Sequence, residues 1–243
     1  MLLIVIIVGI ITNNANAQMK NSLGYYSPVY DLFQYVELYS TVPQKEVELS
    51  YRFEHIVYGS EHGTNHFPNQ WGHRVGGEFG ITQKLMVEIF TNFQQPEANT
   101  GNLSLANLSL ALRYRILEHN KFFVDPAVMI EYKKGFSGRG SGIEGKIILS
   151  KEIGRFIFIG NFGVESSGVE AGGSNKLGFE FGFNGGAGYK ITNWLAIGGE
   201  YEHEFLGPTI GTLYKKFRLN FSVGSSVEGA TEQISSGKIQ TYI

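Results

Sequence analysis

The sequence predicts an all-β protein, an antiparallel up-and-down transmembrane β-barrel of about twelve strands, with ten as the alternative count. Three observations support this prediction. Apolar and polar residues alternate from Lys45 onward, and the connections between the alternating runs are short and long in turn. The composition is rich in glycine (32 of 243 residues) and aromatic residues (14%) but holds only 17% charged residues. Sheets with tight turns tolerate such a composition better than helices do.

The alternation is clearest between Leu177 and Ile191. Phe179, Phe181 and Phe183 fall on one face, whereas Glu180 and the neighbouring glycines fall on the other. A barrel strand needs an apolar row toward lipid and a small or polar row toward the lumen. Most of the alternating runs are close to the roughly nine to eleven residues with which a tilted strand crosses a bilayer.

The connections predict the orientation of the barrel. Short turns fall near residues 82–83, 118–120, 152–155, 192–193 and 215–216, and longer polar stretches at 59–70, 94–101, 135–141, 167–175 and 227–236. Short periplasmic turns and longer extracellular loops are typical of outer-membrane barrels. We therefore expect both ends of the barrel domain to be periplasmic. The count of twelve takes 207–214 as the tenth strand and 237–243 as the last. Only residues 206–208 are then available for the extracellular connection between the ninth and the tenth strand.

The beginning of the chain predicts secretion. An apolar run over residues 1–11 is followed by Ala15-Asn16-Ala17, which is typical of a signal peptide cleaved after Ala17. Residues 18–44 lack clean alternation and are interpreted as a periplasmic N-terminal extension, which leaves 45–243 as the barrel. These features predict the outer membrane of a Gram-negative bacterium, with the lipid bilayer as a partner.

Composition and histidine spacing argue against several other functions. The net charge of −2 gives no electrostatic footprint for nucleic acid, and the absence of cysteine excludes thiolate metal sites. His55, His62, His66 and His73 cluster early in the chain. The spacing of His62 and His66 suits a metal only on a helix, and they fall in a Gly/Asn/Pro-rich stretch. We therefore expect a solvated loop, with no metal site and no cofactor.

A lipid-active outer-membrane enzyme is a rival hypothesis. Such chemistry needs a base within hydrogen-bond reach of a nucleophile. His203 is the candidate base, but the alternation places it on the outward row with Tyr201 and Phe205. We therefore predict no catalytic residue and no enzymatic activity.

The predicted lumen wall is the strongest candidate functional surface, because charges are costly toward lipid and acceptable inside. The candidate pore-lining residues are Glu48, Arg52, Glu78, Glu88, Arg113, Arg115, Glu131, Glu144, Glu180, Glu200, Glu202, Glu204 and Arg218. These charges would pair across strands and lock a narrow core, or they would line a water-filled pore. A column of carboxylates favours cations, and Glu200, Glu202 and Glu204 form such a column. The predicted function is a passive channel for small solutes, with a non-conducting structural or surface-interaction barrel as the alternative.

Some stretches resemble a known family of barrels. Some strands of the barrels named for the meta-pathway of phenol degradation are similar to Leu105–Ile116 (LANLSLALRYRI), to the later Pro126 and Glu131-Tyr132-Lys133, and to Leu206–Gly224 (LGPTIGTLYKKFRLNFSVG). Gly80-Ile81-Thr82 before a tight turn also matches. The resemblance covers roughly residues 46–243 and implies an outer-membrane channel or transporter for small solutes, hydrophobic and aromatic compounds among them. It brings no catalytic motif. Many such barrels end in an aromatic residue that the barrel assembly machinery reads, whereas this sequence ends in Tyr242-Ile243.

Overall fold

A computed structural model describes residues 32–34, 36–58, 70–96, 102–136, 140–167, 178–202, 205–226 and 232–242. These residues form twelve β-strands. They are β1 Val47–Tyr58, β2 Gln70–Gly80, β3 Leu85–Pro96, β4 Ser104–Arg115, β5 Asp125–Gly135, β6 Gly142–Ile153, β7 Phe156–Ser167, β8 Gly178–Lys190, β9 Leu195–Glu202, β10 Phe205–Tyr214, β11 Phe217–Ser226 and β12 Glu232–Tyr242. In the described ranges, no helix is long and apolar enough to cross a membrane.

The twelve strands form one closed barrel, in which each strand pairs antiparallel with its neighbours in sequence and β1 pairs with β12. The predicted fold and the strand count of twelve are confirmed. The tenth strand begins at Phe205 rather than residue 207, so only residues 203–204 separate it from β9. The last strand begins at Glu232 rather than residue 237, because the residues before Gly237 pair with β1 as far as Tyr58.

The barrel has two ends that we name by their connections. The turn end carries residues 81–84, 116–124, 154–155, 191–194 and 215–216, and the loop end carries the other six connections. Two turns are built alike, in Ile81-Thr82 and Ile191-Thr192. The Thr82 hydroxyl accepts hydrogen bonds from the backbone N–H groups of Lys84 (3.1 Å) and Leu85 (3.0 Å). The Thr192 hydroxyl accepts them from Trp194 (3.2 Å) and Leu195 (3.0 Å).

The two faces of the wall differ as the alternation predicts. Large apolar side chains are exposed on the outer face, among them Ile89, Ile130, Ile147, Phe162, Phe181 and Phe221. Charged side chains lie on the inner face, where Arg115 and Arg218 are at most 1% exposed. An apolar exterior around a polar interior is the reverse of a soluble protein and suits a wall that faces lipid.

The interpretation of residues 18–44 as a periplasmic extension is wrong for the part that the structure describes. Residues 32–44, which we call the inner segment, run inside the barrel; Tyr35 and residues 1–31 lie outside the described residues. Leu32, Phe33, Leu38 and Val42 are each at most 2% exposed. The segment is not a strand of the wall, so it lacks the alternation by which strands are recognised.

Candidate functional site: the barrel lumen

The inner segment is anchored at mid-barrel in a recess of glycines. A Cβ atom at Gly186 would lie 2.8 Å from Cε1 of Phe33, and one at Gly188 would lie 2.7 Å from Cδ2 of Leu32. A Cβ at Gly198 would lie 2.6 Å from the Ala187 carbonyl oxygen of the wall and 3.0 Å from the same Leu32 atom. The distances at Gly186 and Gly188 are shorter than real Cβ contacts, and the distance from Gly198 to Leu32 is at the tight limit. The glycines of β8 and β9 therefore provide the space that the two apolar side chains fill.

Backbone groups of the segment bond to polar side chains of the wall at the same level. The Gln34 N–H donates to both carboxylate oxygens of Glu200, at 3.2 and 3.0 Å. The Leu32 carbonyl accepts from the Thr209 hydroxyl at 2.8 Å, and the Gln34 carbonyl accepts from Arg52. Buried backbone polar groups must find such partners, because an unpaired one costs about 1–3 kcal/mol. The wall therefore meets the hydrogen-bonding needs of a non-strand segment.

Arg113 is the central ionic contact between segment and wall. Its guanidinium lies 2.8 Å from the Glu88 carboxylate, donates to the Leu38 carbonyl at 2.8 Å and pairs with Glu37. Arg113 and Glu88 are only 3% exposed. The Glu37 carbonyl also accepts from Asn161 Nδ2 at 3.0 Å. The segment thus completes a buried charge cluster that begins on strands β3 and β4.

The segment leaves the lumen at the turn end. Thr41 donates to the Gln83 carbonyl at 3.2 Å, and Gln44 forms an isolated bridge with Gly80. The Tyr39 hydroxyl is hydrogen-bonded to His119, whose ring stacks on Tyr39 at 5.6 Å between centroids. These contacts hold the segment against the turns that close this end of the barrel.

A second ionic cluster lies toward the loop end. Lys133 and Lys146 each approach the Glu144 carboxylate at 3.0 Å. Lys133 also lies 3.4 Å from Glu165 and 3.9 Å from Glu131. Cross-strand pairing, one of the two predicted arrangements of the lumen charges, is therefore present among the described residues.

On the loop-end side of the inner segment, the lumen contains a cavity of about 290 Å³. Its wall is formed by strands β6 to β8, with Glu144, Lys146, Asn161, Glu165, Glu180 and Asn184 among its lining residues. Toward the turn end the inner segment lies in the lumen, and among the described residues a smaller space of about 30 Å³ lies between the segment and strands β1 to β3. Within the described residues, the inner segment thus occupies part of the lumen and leaves a cavity toward the loop end.

The remaining predicted lumen residues also lie on the inner face where they are described. Glu48 is fully buried and accepts from Gln240, and Arg115 donates to the Gln83 carbonyl at 2.8 Å. Glu202 accepts from Asn184 Nδ2 at 3.2 Å. Arg218 is 0% exposed, and Glu78 borders the smaller space beside the inner segment. Glu204 lies outside the described residues. Glu200 and Glu202 therefore already accept hydrogen bonds from the protein, so these two members of the predicted carboxylate column are not free to face a pore alone.

The described histidines of the early cluster lie on aromatic neighbours. The His55 ring stacks on Trp71 at 4.2 Å, and His73 is hydrogen-bonded to the Tyr51 hydroxyl at 2.9 Å. His62, His66 and His203 lie outside the described residues. Within the described residues, no group of three or more His, Asp or Glu side chains has the geometry of a metal site.

Sequence reasoning missed the apolar part of the lumen. Met129, Ile148, Ile157 and Ile159 are at most 7% exposed and form one core cluster with the inner segment. They lie on the inward-facing row of strands β5 to β7, which in the other strands carries mostly polar residues. Apolar residues on both faces of neighbouring strands were the available signal that something apolar fills the lumen there.

Comparison with known proteins shows the fold. No family model and no curated protein sequence matches the chain. An outer membrane channel from Pseudomonas putida matches with a TM-score of 0.58 and 14% identity, over 84% of this chain and 98% of that one. The NanC porin matches with a TM-score of 0.56 and 9% identity, over 79% and 98%. The KdgM porin, solved with disordered oligogalacturonate, matches with a TM-score of 0.55 and 9% identity, over 80% and 98%. The chain therefore has the fold of outer-membrane β-barrels. Its resemblance to the meta-pathway barrels stays a prediction.

Proposed function

We propose that the chain forms an outer-membrane channel for small polar solutes and that the inner segment controls the passage. The observation that carries this proposal is the glycine recess under Leu32 and Phe33. A barrel that only needs a solid core can fill it with side chains of its own strands. Here Gly186, Gly188 and Gly198 leave that space to a separate piece of chain. Displacement of the segment would therefore leave an open lumen.

The charged part of the wall favours polar solutes. Once the inner segment is displaced, the wall that remains includes the charged residues Arg52, Glu88, Arg113 and Glu200 beside the apolar patch of Met129, Ile148, Ile157 and Ile159. Charged linings favour hydrated solutes, and the neighbouring carboxylates of Glu200 and Glu202 favour cations, although Arg52 and Arg113 balance the charge nearby. The predicted mild cation preference is retained as part of the proposal.

The proposed setting is the outer membrane, with the short turns in the periplasm and the bilayer around the apolar outer face. Insertion would depend on the barrel assembly machinery, as for barrels of this fold. The structural neighbours are channels and porins rather than enzymes, in agreement with a non-enzymatic role. Signal-peptide cleavage after Ala17 remains a prediction, since residues 1–31 lie outside the described residues.

The test is conductance in planar lipid bilayers. The full chain and a variant with Leu32→Gln and Phe33→Gln are compared, with Phe123→Gln as a control, because Phe123 is 71% exposed in a turn. We expect small or infrequent openings of the full chain and the control, and larger or more frequent openings of the double variant. Absence of conductance in all three would favour the alternative, a non-conducting structural barrel.

A further inference from the structure

The cavity at the loop end of the lumen is lined by more hydrogen-bond acceptors than donors and by more negative than positive side chains. Glu144, Glu165 and Glu180 line it together with a single base, Lys146. The amides of Asn161 and Asn184 complete its polar wall. We propose that this cavity binds a small solute that carries a primary ammonium group. Because it names the class of solute that the proposed channel would carry, this inference rests on the proposed function.

Two buried amide oxygens are the first observation behind the proposal. Asn161 and Asn184 face each other across strands β7 and β8 and are 2% and 6% exposed. Their Nδ2 atoms donate to the Glu37 carbonyl (3.0 Å) and to Glu202 (3.2 Å). Their Oδ1 atoms have no hydrogen-bond donor among the described residues. An unpaired buried acceptor is unfavourable, and a ligand in the adjoining cavity would remove that cost by donating to either Oδ1 once its amide rotates toward the cavity, because both atoms are closed off from solvent.

Two facing carboxylates are the second observation. Glu165 and Glu180 are paired directly across the same two strands, four residues from the amide pair on each strand. Like charges in this position repel each other unless a cation lies between or beside them. Lys133 approaches Glu165 at 3.4 Å, but Glu180 forms no ion pair within the described part of the chain. Glu180 is therefore the carboxylate that remains for an incoming cation.

The size and access of the cavity set the size of the solute. Its volume of about 290 Å³ is at the lower end of ligand sites, which span roughly 300–1,000 Å³. Glu165 and Glu180 lie near the ends of β7 and β8 at the loop end, whereas Asn161 lies deeper and contacts the inner segment through Glu37. An ammonium group would thus pass the carboxylates first and the amide oxygens second. Its three N–H donors suit carboxylate and amide acceptors together.

The test is direct binding to the purified full-length barrel in detergent, measured by isothermal titration calorimetry. The probes are butylammonium and tetramethylammonium, which share one charge, four carbons and one nitrogen but differ in N–H donors. The variants are Glu180→Gln and Asn184→Leu. Glu118→Gln at the turn end is the control, because its partners are Lys84 at 3.5 Å and Arg115 at 3.6 Å, outside the cavity. Heat-modifiable migration on a gel confirms that each variant is folded.

We expect butylammonium to bind about tenfold more tightly than tetramethylammonium, because charge-assisted hydrogen bonds contribute to the first alone. Glu180→Gln and Asn184→Leu should each weaken butylammonium binding about fivefold or more, and Glu118→Gln should not change it. Equal affinity for the two cations, or no binding of either, would overturn the inference. Binding does not require conduction, so a barrel that binds butylammonium but never conducts would refute the proposed channel and leave the site intact.

Discussion

Phe33 of the inner segment lies against Gly186 of β8, where an added Cβ would come within 2.8 Å of its ring. No side chain other than hydrogen fits at residue 186 while Phe33 keeps its place. This contact joins residues far apart in the sequence and holds the segment at mid-barrel.

Gly186→Leu should displace Phe33 from the glycine recess and increase the conductance of the barrel. Forcing a side chain into a packed site costs about 1–3 kcal/mol, which we expect to move Phe33 out of the recess while contacts further along the segment, such as Leu38 with Arg113, remain. Gly145→Ala is the control for a glycine replaced without a clash, because the nearest atom to its added Cβ is Cγ1 of Val164 at 4.0 Å. Bilayer recordings that show equal conductance for Gly186→Leu and Gly145→Ala would contradict this prediction.

Arg113→Ala should destabilise the barrel by about 3–5 kcal/mol, because it leaves the buried Glu88 carboxylate without its cation and frees Glu37. The measurement is the urea dependence of unfolding in lipid vesicles. A double variant, Arg113→Met with Glu88→Gln, should recover much of the loss, since it removes both charges. If the double variant were as unstable as Arg113→Ala, an unpaired charge would not be the cause.

Ile147→Lys should weaken folding into a bilayer by about 2–4 kcal/mol, because Ile147 is exposed on the outer face near the middle of β6. The same change at Ile153, at the turn end of the strand, should cost about 0–1 kcal/mol. Unfolding titrations in vesicles compare the two variants. Equal costs would show that the apolar outer face does not span a bilayer.

Thr82→Ala and Thr192→Ala should each destabilise the barrel by about 1 kcal/mol, since each removes a hydroxyl that accepts two backbone hydrogen bonds. Thr→Ser at the same positions keeps the hydroxyl and should cost much less. The readout is again the midpoint of urea unfolding. A loss as large for serine as for alanine would assign the effect to the methyl group instead.

The wall of the barrel was predictable from the sequence because strand alternation is a local property. Each side chain of β4 or β8 is placed inside or outside by its neighbours two residues away. The beginning of β12 was not predictable in this way. The stretch around Ser235 and Ser236 has no apolar row, and it is a strand because both β1 and β11 offer it hydrogen-bonding partners.

The inner segment could not be placed from sequence for a different reason. Its contacts are long-range, such as Gln34 with Glu200 and Leu32 with Thr209. Nothing in the sequence of residues 32–44 names these partners. The only sign was indirect, in inward-facing apolar residues such as Ile157 and Ile159 and in the neighbouring glycines. The alternation along each strand predicted which charged residues face the lumen. It did not predict their partners on the inner segment.

The central claim is that the inner segment closes the lumen, and a reversible lock tests it most directly. The chain contains no cysteine, so Leu32→Cys with Gly188→Cys introduces a single pair at a position where the native side chain of Leu32 contacts Gly188. Single-channel recordings of this variant are compared before and after reduction in the same bilayer. We predict that the oxidised barrel stays closed at every voltage and that openings begin after reduction. Openings of the same size and frequency in the oxidised and reduced barrel would contradict the account.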